Sequence, residues 1–302
     1  MKILFISRMP LAGAPWETMK CLRKYAGLDV KWACSHDRYP DGRIFPTDIL
    51  VPFHNQEEFK QTIRESDIIH IQNDHFMKDD RVFQGKKMIF QFHSVPKRGT
   101  YDVYKKYNGT YYTVRQPWLE REYPDLPTLP NLLDVEEYIP SADTNDVPVV
   151  VFAPSNKWNV SVKGSRAKDL VEKALKEING INVNSYMGVP YLQNLNFKKT
   201  SDILIDDVVN DTFHKTTLEG CCFGLGVITS WQSPGWEYSK LDNLIDTVRK
   251  LVENREVLEK SKLKSRNWIV NEWHPKNLIK EYLDAYGKLM VGKLNNTPCY
   301  VS

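Results

Sequence analysis

Short apolar, β-rich runs alternate with amphipathic helical patterns along this 302-residue chain, and one turn-rich stretch near its middle interrupts them. These two observations predict an α/β protein of two doubly wound domains, each a parallel sheet covered by helices. The length agrees, at roughly 100–200 residues per domain. With 41% hydrophobic and 12% aromatic residues the chain has ample material for buried cores, which excludes intrinsic disorder as its main state.

In the first half, strand patterns fall at residues 2–7, 29–34, 67–71, 87–92 and 111–114, with covering helices over 16–26, 57–65 and 79–84. Leu129-Pro130-Asn131 opens the turn-rich stretch, which runs through Pro140 to Asp146 and marks the domain boundary. Beyond it the pattern restarts, with strands at 149–153, 181–186, 202–205 and 226–229 and helices near 166–178 and 216–223. Three long helical patterns close the chain over 242–254, 257–270 and 275–291, the last starting on Pro275 at a first-turn position. Both halves read as Rossmann-like units. Sheets of this kind bind ligands outside the carboxyl ends of their strands, so a ligand cleft is expected between the two domains.

Several function classes drop out on composition. With 41 Lys+Arg against 38 Asp+Glu the net charge is only +3, so bulk electrostatics names no partner. The longest apolar runs, at 3–6 and 149–153, are far short of the ~20 residues of a membrane helix. Arg8 and Pro10 interrupt the N-terminal apolar run too early for a signal peptide, which gives a cytoplasmic reading. The five cysteines form no CxxC and no zinc-spaced cluster, consistent with reduced, mostly buried thiols. Neither a Walker A motif nor GxGxxG is present, which takes most of the weight from the P-loop and NAD-fingerprint readings.

Two segments carry chemistry. In the first, Phe152-Ala153-Pro154-Ser155-Asn156-Lys157 leads to Lys163-Gly164 at a helix start, where ammonium groups and backbone N–H groups converge on one anion such as a diphosphate. The bland alternative is a surface loop with lysines. The second runs from Ser201 through Asp206-Asp207 and Asp211-Thr212-Phe213-His214-Lys215 to Glu219-Gly220, then Gly224 and Val227-Ile228. Asp211 and Glu219 are eight residues apart, roughly 12 Å along a continuous helix. That exceeds the ~5–9.5 Å between paired glycosidase carboxyls, so two carboxylates holding different hydroxyls of one long ligand fit better than a hydrolytic pair. Asp211 as a helix N-cap and Glu219 as a solvated helix carboxylate are the plain alternatives.

In their order and spacing these segments resemble the nucleotide-sugar-dependent glycosyltransferases of GT-B fold, especially the family 4-like group. The matching residues are Ala153-Pro154-Ser155-Asn156, Lys163-Gly164, Asp211 to Glu219, and Gly224 with Val227-Ile228 in the second half. In the first they are the Gly13 loop, Ser66 to His70, Phe92-His93-Ser94 and Leu129-Pro130-Asn131. The resemblance implies two Rossmann-like domains facing across a cleft, with residues 1–140 binding the acceptor, 147–275 the nucleotide sugar, and a C-terminal helix over 276–302 crossing back to the first domain. It also implies roles. Lys163, with Asn156 or Lys157, would hold the donor diphosphate, and Glu219 the ribose hydroxyls. Asp211 would contact the transferred sugar, and backbone N–H groups of Phe213, His214 and Lys215 the distal phosphate. Gly13 and His93 would lie on the acceptor side, His93 near the transferred sugar. The transfer would be retaining and need no cofactor.

The family has Gly where this chain has His214, which restricts close backbone approach and points to an unusual donor sugar. The Asp206-Asp207 pair is similar to the metal-binding motif of GT-A transferases, but its place in the second domain argues against that role, so no metal is expected. Residues 78–121 are locally basic and rich in tyrosine. With Lys97 and Arg98 they suit phosphates and stacked bases, although a solvated face over core aromatics explains them too. The expected acceptor is therefore a glycan or glycolipid hydroxyl, the alternative a hydroxymethylated pyrimidine in viral DNA. A third reading is a catalytically silent sugar-nucleotide or glycan-binding protein.

Overall fold

The structure, a computed structural model, describes residues 1–37, 45–51, 56–77, 79–94, 104, 106–107, 109–141, 145–153, 162–186 and 188–291, with backbone only at 80 and 162–167. The chain forms two compact units. One extends to Leu132 and takes in the chain from Pro275; the other spans Leu133–His274.

The first unit holds a fully parallel seven-stranded sheet in the order β3-β2-β1-β4-β5-β6-β7. The strands are β1 (Lys2–Ser7), β2 (Asp29–Cys34), β3 (Ile49–Leu50), β4 (Ile68–Gln72), β5 (Lys87–Phe92), β6 (Gly109–Val114) and β7 (Thr128–Leu129). Helices cover both faces, so β1, β4 and β5 are buried on both sides and read as nearly continuous apolar runs. On one face Leu4, Ile6, Ile69, Ile71 and Phe90 pack with Phe59 and Ile63 of α2 (Gln56–Glu65). Helix α1 (Ala14–Ala26) follows β1 and ends at Gly27, whose left-handed backbone (φ 60°) lets it close the helix. A short helix, α3 (Pro117–Glu122), lies between β6 and β7.

The second unit carries a parallel five-stranded sheet in the order β12-β11-β10-β8-β9. Its strands are β8 (Val149–Phe152), β9 (Asn182–Ser185), β10 (Ile203–Ile205), β11 (Gly226–Thr229) and β12 (Glu237–Tyr238). Helices α4 (Val162–Lys176), α5 (Tyr191–Lys199), α6 (Lys215–Cys222), α7 (Leu244–Val252) and α8 (Arg255–Glu272) surround it. The chain passes from β8 outward to β9 and then returns to β10 on the other side. The carboxyl ends of β8 and β10 therefore form the topological switch point of the sheet, the usual ligand position in such units. Helix α6 approaches the sheet closely because position 220 is glycine: a Cβ there would lie 3.0 Å from Val227 and 3.2 Å from Leu204.

Of the three C-terminal helical patterns only the last returns to the first unit, as α9 (Pro275–Met290). The Tyr282 hydroxyl donates to the Pro130 carbonyl at 2.8 Å, and Tyr286 bonds His70 Nδ1 at 3.0 Å. Lys87 donates to the Met290 carbonyl at 2.7 Å. His70 is thus a core histidine, and burial pushes its pKa down to about 3.

Candidate functional site

The stretch from Asp206 to Glu219, beyond β10 and into α6, carries four of the seven expected donor-side residues: Phe213, His214, Lys215 and Glu219. Asp206 follows β10 directly. Its carboxylate accepts from the His214 backbone N–H at 2.8 Å, the Thr217 hydroxyl at 2.6 Å and the His214 ring Nδ1 at 3.3 Å. Burial opposes its ionisation, but His214 and these hydrogen bonds outweigh that and hold its pKa below the ordinary range. His214 moves the other way: burial pulls it down, and the Asp206 carboxylate with its hydrogen bond, helped by Asp207, raises it overall. His214 is the N-cap of α6 and uses no side-chain cap bond, so Asp211 does not cap this helix. Asp207 closes a tight turn instead, accepting from the Val209 and Asn210 backbone N–H groups at 2.7 Å each. Among the described residues no group of three His, Cys, Asp or Glu side chains is placed to hold a metal ion.

Phe213 anchors the same loop from behind. Its buried ring packs against Trp236 and Trp273, with centroids 5.3 and 5.9 Å away, and Trp268 completes the aromatic cluster.

Glu219, about one turn into α6, is not solvated. It is 3% exposed, and one oxygen meets the Lys198 ammonium while the other meets Lys215. The Tyr191 hydroxyl donates to Glu219 at 3.2 Å and accepts from Lys215 at 2.8 Å. Two cations and one anion are therefore buried together. Desolvation disfavours the Glu219 carboxylate, and the two ammonium groups overcome it, leaving the pKa below normal. Lys198 and Tyr191 both come from α5, a helix the sequence patterns do not indicate. They lie seven residues apart, two turns along one face, and they are its two buried residues.

Asp211 stands apart from this cluster. Its backbone is left-handed (φ 49°), and its half-exposed carboxylate pairs with Lys240 at 3.0 Å. Lys163 falls in the first turn of α4, but its side chain lies outside the described residues, as do Asn156, Lys157, Lys97 and Arg98 entirely.

In the first unit, His93 directly follows β5. Its backbone N–H donates to Asn73 Oδ1 at 2.6 Å, and its ring Nε2 bonds Gln72 Oε1. Burial pushes its pKa down to about 3, so the ring is neutral at physiological pH. Gly13 (φ 76°) is the N-cap of α1 and follows Leu11 and Ala12, which are also left-handed at 48° and 54°. Two non-glycine residues in that region are a local concentration of backbone strain at the carboxyl end of β1.

The sequence matches no family model and no curated protein. Solved structures do share its fold. Over 95% of this chain and 100% of the other it is similar to Anabaena Alr3699/HepE, solved in complex with UDP-glucose, with a TM-score of 0.63 at 10% identity. A sucrose-phosphate synthase from Thermosynechococcus elongatus aligns over 97% of this chain and 100% of its own, with a TM-score of 0.60 at 11% identity. TarM aligns over 82% of this chain with a TM-score of 0.55 at 10% identity, and the present chain spans only 62% of its length. At these identities the likeness is one of fold: two parallel, Rossmann-like units of GT-B architecture. No helix among the described residues is long and apolar enough to cross a membrane.

Proposed function

We propose that this protein is a glycosyltransferase that moves a sugar from a nucleoside diphosphate sugar to a hydroxyl acceptor. The observation that carries the reading is the β10–α6 segment. It sets His214, Lys215 and Glu219 around one helix start beyond β10, held by Asp206, within the Asp211-to-Glu219 run in which this chain resembles those transferases. The fold shared with a UDP-glucose complex supports it.

In this reading the second unit takes the donor. Lys163, with Asn156 and Lys157, faces the diphosphate, Glu219 the ribose hydroxyls and Asp211 the transferred sugar. Ribose would displace Lys215 from Glu219, which releases that ammonium toward the phosphates. The first unit takes the acceptor through Gly13, Lys97 and Arg98. The neutral ring of His93 meets the sugar as a hydrogen-bonding group without charge. In the transfer the anomeric carbon's bond to the diphosphate oxygen breaks with its electron pair staying on phosphate. The acceptor oxygen bonds that carbon and passes its proton to a departing phosphate oxygen. Front-face attack with retention needs no protein nucleophile and no metal, and neutralising the leaving group is the main catalytic task. The acceptor is a glycan or glycolipid hydroxyl, with a DNA base hydroxyl as the alternative.

The test is a thermal-shift screen with UDP, GDP, ADP and CDP and their sugars, followed by assay of nucleoside diphosphate release. A ligand that binds only the folded state raises the melting temperature. A silent binding protein is the second reading, favoured by the full engagement of Glu219 by Lys198, Lys215 and Tyr191. Donor binding without release of nucleoside diphosphate, under any acceptor condition, would select it. If no nucleoside diphosphate or sugar nucleotide binds, the transferase reading fails and only a glycan-binding form of the silent reading stands.

A further inference from the structure

The Asp206–His214 pair has a geometry that the donor motif itself does not require. His214 Nδ1 faces Asp206, while Nε2 has no partner among the described residues and the side chain is 38% exposed. The Asp206 carboxylate is fixed independently by the His214 N–H and the Thr217 hydroxyl, so it holds the ring in one orientation. That same bond occupies the His214 backbone N–H, and the residue's only remaining donor for a ligand is Nε2–H. The described charged groups facing the ring are Asp206 at the end of β10 and Asp207 beside it; Lys215, next in the chain, directs its ammonium to Glu219 and Tyr191.

We infer that His214 is a side-chain contact to the donor diphosphate, an imidazolium steered by Asp206 that meets the charge left on the distal phosphate oxygen when the anomeric bond breaks. This rests on the proposed donor site. The proton stays on the ring through the step, so His214 acts as a charged hydrogen-bond donor and Asp206 as its positioning residue. Where a glycine would offer a backbone N–H to phosphate, this chain offers a titratable cation. Donor affinity is then tied to pH: the contact is complete in mild acid and weakens as pH rises through the His214 pKa, which the two aspartates place above the ordinary histidine value.

The experiment measures binding of UDP-glucose, GDP-mannose and ADP-glucose, and of uridine, guanosine and adenosine, at pH 6 and pH 8.5. Sugar nucleotides are used because their diphosphate carries no proton that titrates in this range. The wild-type protein should bind its sugar nucleotide about tenfold more tightly at pH 6, as expected for one charge-assisted hydrogen bond, and the nucleoside equally at both. His214→Gln should lose the pH dependence, and His214→Lys should bind tightly at both values. Sugar-nucleotide binding that is flat with pH in the wild type, or a pH profile unchanged in His214→Gln, overturns the inference and leaves the donor site standing. Absence of any sugar-nucleotide binding overturns the donor site and this contact together. Should either variant fail to fold, the wild-type comparison of sugar nucleotide with nucleoside decides alone.

Discussion

Neutralising Glu219 should destabilise the second unit far more than removing one of its lysine partners. The cluster buries two ammonium groups against one carboxylate, each cation on its own oxygen. At an effective dielectric of about 20, opposite unit charges ~4 Å apart attract by about 4 kcal/mol, and like charges on opposite sides of one carboxylate repel by somewhat less, about 3 kcal/mol. Lys198→Met gives up one attraction and the repulsion together, a net cost of about 1 kcal/mol, and spares the desolvation of a long buried cation. Glu219→Gln gives up both attractions and leaves the repulsion. After relaxation that corresponds to the ~3–5 kcal/mol typical of an orphaned buried charge. At roughly 2–4 °C per kcal/mol, Glu219→Gln should melt on the order of 10 °C lower and Lys198→Met only a few degrees lower. Thermal unfolding of the two variants beside the wild type measures the difference. Equal losses would refute the charge-count reasoning and assign Lys198 a packing role. In the wild type the depressed Glu219 pKa makes this stabilisation present above the ordinary carboxylate pKa and lost as pH falls through the lower folded value, so the cluster should fail only in acid.

Asp211→Asn should leave the melting temperature nearly unchanged, because a solvent-screened ion pair with Lys240 adds little to stability; a donor-affinity loss with unchanged stability is the expected signature of sugar contact. Phe213→Ala should cost about 3–5 kcal/mol by opening a cavity beside Trp236 and Trp273, read as a lower denaturant midpoint and a change in tryptophan emission. His214→Gln should lower stability more at pH 6 than at pH 9, since a raised histidine pKa stabilises the fold below its unfolded value and that gain disappears as pH rises through the folded one; equal melting losses at both pH values would contradict the Asp206 pairing.

The sheets were legible in the sequence because both are parallel and their central strands are buried, so β1, β4, β5 and β10 appear as apolar runs whatever their neighbours do. The edge strands β3, β7 and β12 are two residues each, too short for any period to show. Helix α5 was hidden for a different reason. Its inward face is Tyr191 and Lys198, while Leu192 points out at 71% exposure, so the usual apolar stripe is inverted. The lysine is buried only because α6 presents Glu219 to it, a pairing 21 residues away in sequence that no local pattern encodes. The spacing of Glu219 from Asp211 singles that carboxylate out in the sequence, but its counter-charges on Lys198 and Lys215 are not legible there.

Asp206 and Asp207 show the same limit in reverse. Adjacent carboxylates after a strand look alike whether they face a metal, a turn or a histidine, and the fold separates them by where their partners lie. Asp207 meets backbone N–H groups two and three residues on and so closes a turn, an arrangement local enough to be read from the Asp-Val-Val-Asn run once the strand end is known. Asp206 reaches His214 and Thr217 eight and eleven residues later, across the loop. A carboxylate that anchors the loop and the first turn of α6 at once ties the placement of Phe213, His214 and Lys215 to a single charge. Loosening Asp206 should therefore disturb Phe213 and Lys215, which it does not touch, and a histidine at position 214 becomes tolerable in a place where the resembling proteins use glycine.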